Sequence, residues 1–171
     1  MTTNKELIEN VYASFTTGDV PAVLGTMADD IRWVEADGFP LAGTYVGPQA
    51  VLEGVFMRLG EIGDHYSVIV EQILADGDTV VALGNYTWKH KKTGQPASVK
   101  MAHVWTIRDG KAVAFQQHVD TARVRELSRT SHSDLSTEIP FPGTQVDSPR
   151  SGHGRSDSRQ NPCRGMQRLC E

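Results

Sequence analysis

The chain reads as an α+β domain in which helices come first and pack on one face of a curved antiparallel sheet. Apolar residues recur at the helical period through roughly the first 60 positions and not afterwards. Beyond them lie runs of β-branched and aromatic residues separated by Asp-Gly turns. Helices followed by a strand meander is the order of an α+β fold, and 171 residues give room for one core that needs neither disulfides nor metals.

From Thr3 to about Thr17, Leu7, Ile8, Val11, Tyr12 and Phe15 form the apolar stripe of a first helix that Gly18 ends. Asp19 is placed to cap a second, short helix over Pro21 to about Ala28, since its carboxylate accepts from orphan amides and proline suits an early helical position. Ile31 to Glu35 has strand composition, with Ile31, Trp33 and Glu35 on one face, and Asp37-Gly38-Phe39-Pro40 breaks it. Gly43 and Gly47 bracket Tyr45 in a loop or short strand. Pro48 then opens a third helix whose face carries Val51, Leu52, Val55, Phe56 and Leu59. Tyr66–Ala75 and Thr79–Lys89 form one hairpin, and Ser98 onward forms another that turns at Asp109-Gly110.

On the last strand Gln116, His118 and Asp120 share a parity, as Met101, His103 and Trp105 do on the strand before it. Polar, titratable residues thus alternate with apolar ones, as on a solvent face or a pocket wall. A two-residue turn at Asp109-Gly110 sets His103 opposite Gln116, whereas a three-residue turn with a glycine bulge shifts the partner strand. After Asp120 the run TARVRELSR has one or two helical turns in it, which Asp120 is placed to cap. From Ser128 to Glu171 the chain is dominated by Ser, Pro, Gly, Thr, Gln and Arg. Such a segment buries too little to offset its ordering entropy, so residues 128–171 are expected to be a disordered tail behind a domain spanning 1–127.

A net charge of −4 with scattered Lys and Arg argues against a nucleic-acid or anionic-membrane surface. No stretch approaches the length of a membrane span and the N-terminus lacks the pattern of a signal peptide, so a cytoplasmic location is expected. Cys163 and Cys170 lack the spacing of a zinc site. Without a phosphate loop, a nucleophile arrangement or a metal-ligand cluster, the chemistry left for residues 1–127 is cofactor-independent and metal-free, on a small organic partner.

FTTGDVPAVLGTMADDIRW, LAGTYVGPQAVLEGVF and HVWTIRDGKAVAFQQHVDTA together resemble the nuclear transport factor 2-like superfamily, in particular its SnoaL-like branch of polyketide cyclases and ketosteroid isomerase-related proteins. The likeness covers roughly Glu6 to Leu127. It implies a cone of three helices on a strongly bent sheet around an apolar pocket, often dimerising through the outer sheet surface. The superfamily mixes isomerases, cyclases, epoxide hydrolases, dehydratases and non-catalytic binding domains, so the fold alone does not name a reaction.

The resemblance also implies roles. Asp120 matches the aspartate that serves SnoaL-like cyclases as general acid/base near the end of the last strand, and His103 matches the neighbouring histidine; His118 shares the parity of Asp120. Glu35 falls where ketosteroid isomerase carries its catalytic carboxylate. The oxyanion tyrosine of that enzyme falls on Val11, with Tyr12 one position away. Arg32 has the opposite parity to Trp33 and Glu35, against an epoxide hydrolase set. Trp33, Tyr45, Phe56, Trp88, Met101 and Trp105 are the candidates for pocket lining, with Gln116 beside them, and a small apolar or aromatic ligand suits such walls.

Overall fold

The computed structural model describes residues 2–129; the tail expected from Ser128 lies outside them, apart from two residues that close the last helix. Helix α1 (Asn4–Thr17) starts at a capping box. The Thr3 hydroxyl accepts from the Glu6 amide while the Glu6 carboxylate accepts from the Thr3 amide, and Gly18 closes the helix in the left-handed region at φ 74°. Helix α2 (Val20–Gly25) is capped by Asp19 as expected, but ends earlier, because Met27 already belongs to strand β1 (Met27–Glu35). Strand β2 (Gly43–Val46) leads into α3 (Pro48–Gly54), which stops short of the expected length. Phe56–Glu61 continues as a 3₁₀ helix and keeps Phe56 buried.

Strands β3 (Asp64–Asp76), β4 (Thr79–Lys89), β5 (Pro96–Arg108) and β6 (Lys111–Val119) follow, and α4 (Thr121–Arg129) ends the described chain. The six strands form one sheet in the order β2-β1-β6-β5-β4-β3, antiparallel throughout except where β1 lies parallel to β6. Inward-facing residues of β4 and β5 alternate strictly, Val80 to Trp88 and Ala97 to Ile107, as a sheet with one covered face requires.

The β5–β6 turn is a tight two-residue turn. Asp109 and Gly110 both have positive φ, 51° and 74°, and Arg108 pairs with Lys111. Three residues past the turn the register slips. Ile107 pairs with Ala112 but Thr106 pairs with Ala114, so Val113 is the extra residue of a β-bulge. A one-residue shift turns every later side chain of β6 to the other face. Phe115 and Gln117 therefore face inward, and Gln116, His118 and Asp120 face outward.

Candidate active site

The helices and the concave face of the sheet line a pocket of about 460 Å³, counted with the open solvent at its mouth. Its walls are overwhelmingly aromatic. Tyr12 and Phe15 come from α1, Trp33 from β1, and Phe39 and Phe56 from the connecting segments. Tyr66, Tyr86, Trp105 and Phe115 come from β3, β4, β5 and β6 in turn. The rings brace one another: Trp33 stacks on Phe115 with centroids 3.7 Å apart, and its edge-on contacts to Phe56 and Trp105 are both 5.5 Å.

Into this apolar box the sheet projects three buried polar side chains, Glu35, His103 and Gln117, at 4%, 5% and 3% exposure. Glu35 ends β1 on the parity of Ile31 and Trp33. The Trp33 indole N–H donates to its Oε1 at 2.7 Å, while Oε2 is, among the described residues, the buried side-chain polar atom left without a partner. Burial pushes this carboxyl from its ordinary 4.5 up to about 7, against the pull of the Trp33 N–H, so near neutral pH it both holds and releases a proton.

His103 sits between two tyrosines. Tyr12 Oη lies 2.7 Å from Nδ1, and Tyr86 Oη hydrogen-bonds Nε2. Burial, reinforced by the charge of His118 behind it, holds the imidazole down at about 3, so at neutral pH it carries one proton. Each tyrosine also accepts from a fixed donor: Trp105 Nε1–H at 3.0 Å to Tyr12, and Gln117 Nε2–H at 2.9 Å to Tyr86. The Gln117 amide is oriented by the Ala36 N–H, which donates to its Oε1 at 3.0 Å. The Tyr66 ring lies beside that of Tyr86, with centroids 5.3 Å apart. Burial raises the pKa of Tyr12, Tyr66 and Tyr86 above the usual tyrosine range, which keeps their hydroxyls protonated donors.

The profile of the SnoaL-like domain family matches residues 8–115, well over half of the chain. The chain belongs to the SnoaL-like family. Its fold is that of the NTF2-like superfamily: an NTF2-like protein from Burkholderia thailandensis is 36% identical and superposes with a TM-score of 0.70, over 74% of this chain and 97% of that one. TerC, co-crystallised with polyporic acid, is 31% identical, with a TM-score of 0.63 over 73% and 97% of the two chains. A protein of ketosteroid isomerase-like fold from Catenulispora acidiphila, in complex with trimethylamine, is 21% identical, with a TM-score of 0.62 over 74% and 94%, and shows likeness of fold alone. No curated protein matches the chain.

Of the residues singled out from sequence, this SnoaL-like domain brings Glu35, His103, Trp33, Phe56 and Trp105 to the cavity. The others lie elsewhere. Asp120, His118 and Gln116 are exposed on the other side because the Val113 bulge reverses the parity of β6, and the Asp120 carboxylate caps α4 by accepting from the Arg123 amide at 3.0 Å. Tyr45 leaves the cavity because it sits on edge strand β2, its hydroxyl donating to the Leu41 carbonyl at 2.9 Å and its ring lying over Gly54. Trp88 packs on Tyr66 and over Gly63, and Met101 is core.

The sequence reading left Tyr66, Tyr86 and Gln117 out of the site and set Tyr12 aside as one position out of register. Tyr12 lies on the buried stripe of α1, and Tyr86 has the inward parity of β4, so a polar tip on a buried face was a signal in both. Gln117 had none, since its face depends on the bulge.

Proposed function

We propose that this SnoaL-like domain is a cofactor-independent general acid/base enzyme acting on a small, apolar carbonyl or polyketide-like compound, in a reaction of the cyclase or isomerase type. The observation that carries the reading is Glu35: a carboxyl with an unpaired buried oxygen, in an aromatic cavity, poised near pH 7. Glu35 takes or returns the proton at a carbon next to the carbonyl. A tyrosine hydroxyl held by His103 donates to the carbonyl oxygen as negative charge develops there, in a site where few competing dipoles weaken the bond. Trp33, Phe56 and Trp105 supply flat apolar surface to hold the ring system. His103 is the positioning group and Asp120 stands outside the scheme. The cocrystal of TerC, at 31% identity, supports small-molecule occupancy of this fold.

The reading takes the protein as a cytoplasmic homodimer. Ile69 and Leu74, 50% and 51% exposed on β3, are apolar side chains free to meet a second copy.

The test is proton exchange with flat aromatic ketones such as 1-indanone and 1-tetralone in heavy water, followed by proton NMR. The wild type accelerates loss of the α-proton signal, and Glu35→Gln abolishes the acceleration while still binding the ketone. Saturable binding of the ketones with no exchange in the wild type makes the domain a non-catalytic small-molecule binder.

A further inference from the structure

Tyr12, His103 and Tyr86 form a linear chain of two hydrogen bonds through the cavity wall. With a neutral imidazole these three groups own three polar hydrogens, one each. Two links consume two of them, so one hydroxyl hydrogen is left over. Because a neutral imidazole donates at one nitrogen and accepts at the other, both links must point the same way along the chain. With Nδ1 protonated, Tyr86 donates to Nε2 and Nδ1–H donates to Tyr12. Tyr12 then accepts from both His103 and Trp105, its lone pairs are filled, and its own hydrogen is free for the cavity. With Nε2 protonated the direction reverses, Tyr86 accepts from His103 and Gln117, and the surplus hydrogen is its own.

We infer that the wall is a relay with a single surplus hydroxyl hydrogen, which the tautomer of His103 delivers either to Tyr12 or to Tyr86, so that the site serves a ligand bearing one acceptor oxygen at a time. The Ala36 amide, next to Glu35 in the chain, holds Gln117 with its donor toward Tyr86, which fills one lone pair of that oxygen in both states. Gln117 is thus a positioning residue that leaves Tyr86 one lone pair for His103. The assignment of ligand class deepens the carbonyl reading above and rests on it; the relay itself does not.

The tautomer is read from two-bond proton–nitrogen correlation spectra of the protein labelled with ¹⁵N in histidine. Tyr12→Phe removes the acceptor of Nδ1–H, and an unpaired buried donor is costly, so His103 moves to the Nε2–H form by at least about fivefold. Tyr86→Phe removes the acceptor of Nε2–H and moves His103 to the Nδ1–H form by a similar factor. Saturating the wild type with 1-tetralone, whose carbonyl oxygen accepts from Tyr12, produces the same change as Tyr86→Phe. The same tautomer in both variants overturns the relay, as does an imidazolium signal for His103 in the wild type at pH 7. If a variant fails to fold, the wild-type spectra decide: an unchanged His103 in the ketone-bound protein is evidence against the relay. Absence of ketone binding, with opposite tautomers in the two variants, keeps the relay and removes the carbonyl reading.

Discussion

Glu35→Gln is expected to stabilise the protein, and increasingly so as the pH rises. In the unfolded chain this carboxyl ionises near 4.5, whereas in the folded protein it keeps its proton up to about 7. Its contribution to stability is therefore fully present below 4.5 and is lost as the pH rises through 7. A shift of this size corresponds to about 3 kcal/mol at pH 8 and about 1 kcal/mol at pH 5. His103 acts in the opposite sense, because its unfolded imidazole binds a proton near 6.5 and the buried one not until about 3, so its contribution is lost as the pH falls below 6.5. Between 4.5 and 6.5 the two oppose each other, and the pH dependence of the wild type is damped there. Removing the carboxylate leaves the His103 slope alone, and the stability of Glu35→Gln climbs across that window. Denaturant unfolding at pH 5, 6, 7 and 8, followed by fluorescence of the buried Trp33, Trp88 and Trp105, measures both curves. A stability difference that does not change between pH 5 and 8, or a variant less stable than the wild type at pH 8, refutes the reasoning.

Other substitutions test the frame around the site. Asp120→Ala lowers stability by about 1 kcal/mol through loss of the α4 cap, Asp120→Asn restores most of it, and neither changes ketone binding in a fluorescence titration. A Cβ at Gly84 would sit 1.9 Å from the Ile69 carbonyl oxygen across the β3–β4 pair, so Gly84→Ala costs about 2 kcal/mol or more in a denaturant melt. Light scattering is expected to give a dimer for the wild type and a monomer for the double variant Ile69→Glu, Leu74→Glu.

Much of the frame was legible in the sequence because it rests on local signals. The stripe of α1, the Asp19 cap, the Asp-Gly turn and the parity of Ile31, Trp33 and Glu35 each follow from rules that act within a few residues. Gly54, the last residue of α3, has a tertiary reason to be glycine, since the ring of Tyr45 from the neighbouring strand lies where a side chain at 54 would be. The site was harder to read. Nothing in Ala112-Val113-Ala114 marks a bulge, for all three residues suit a regular strand, and the slip is visible only against the pairing with Thr106 and Ile107. That one residue exchanges Gln116, His118 and Asp120 for Phe115 and Gln117 on the cavity side. Tyr12 escaped for a different reason: a shared helix face tolerates a one-position offset that a strand does not, because neighbouring residues 100° apart both reach the core.

The central claim is that Glu35 moves protons inside the cavity, and the pH profile of α-proton exchange from 1-tetralone tests it most directly. The account predicts a rate that rises with pH through a single ionisation near 7 and then levels off, that persists in Asp120→Asn and that vanishes in Glu35→Gln. A rate that survives in Glu35→Gln, or that disappears in Asp120→Asn, contradicts it.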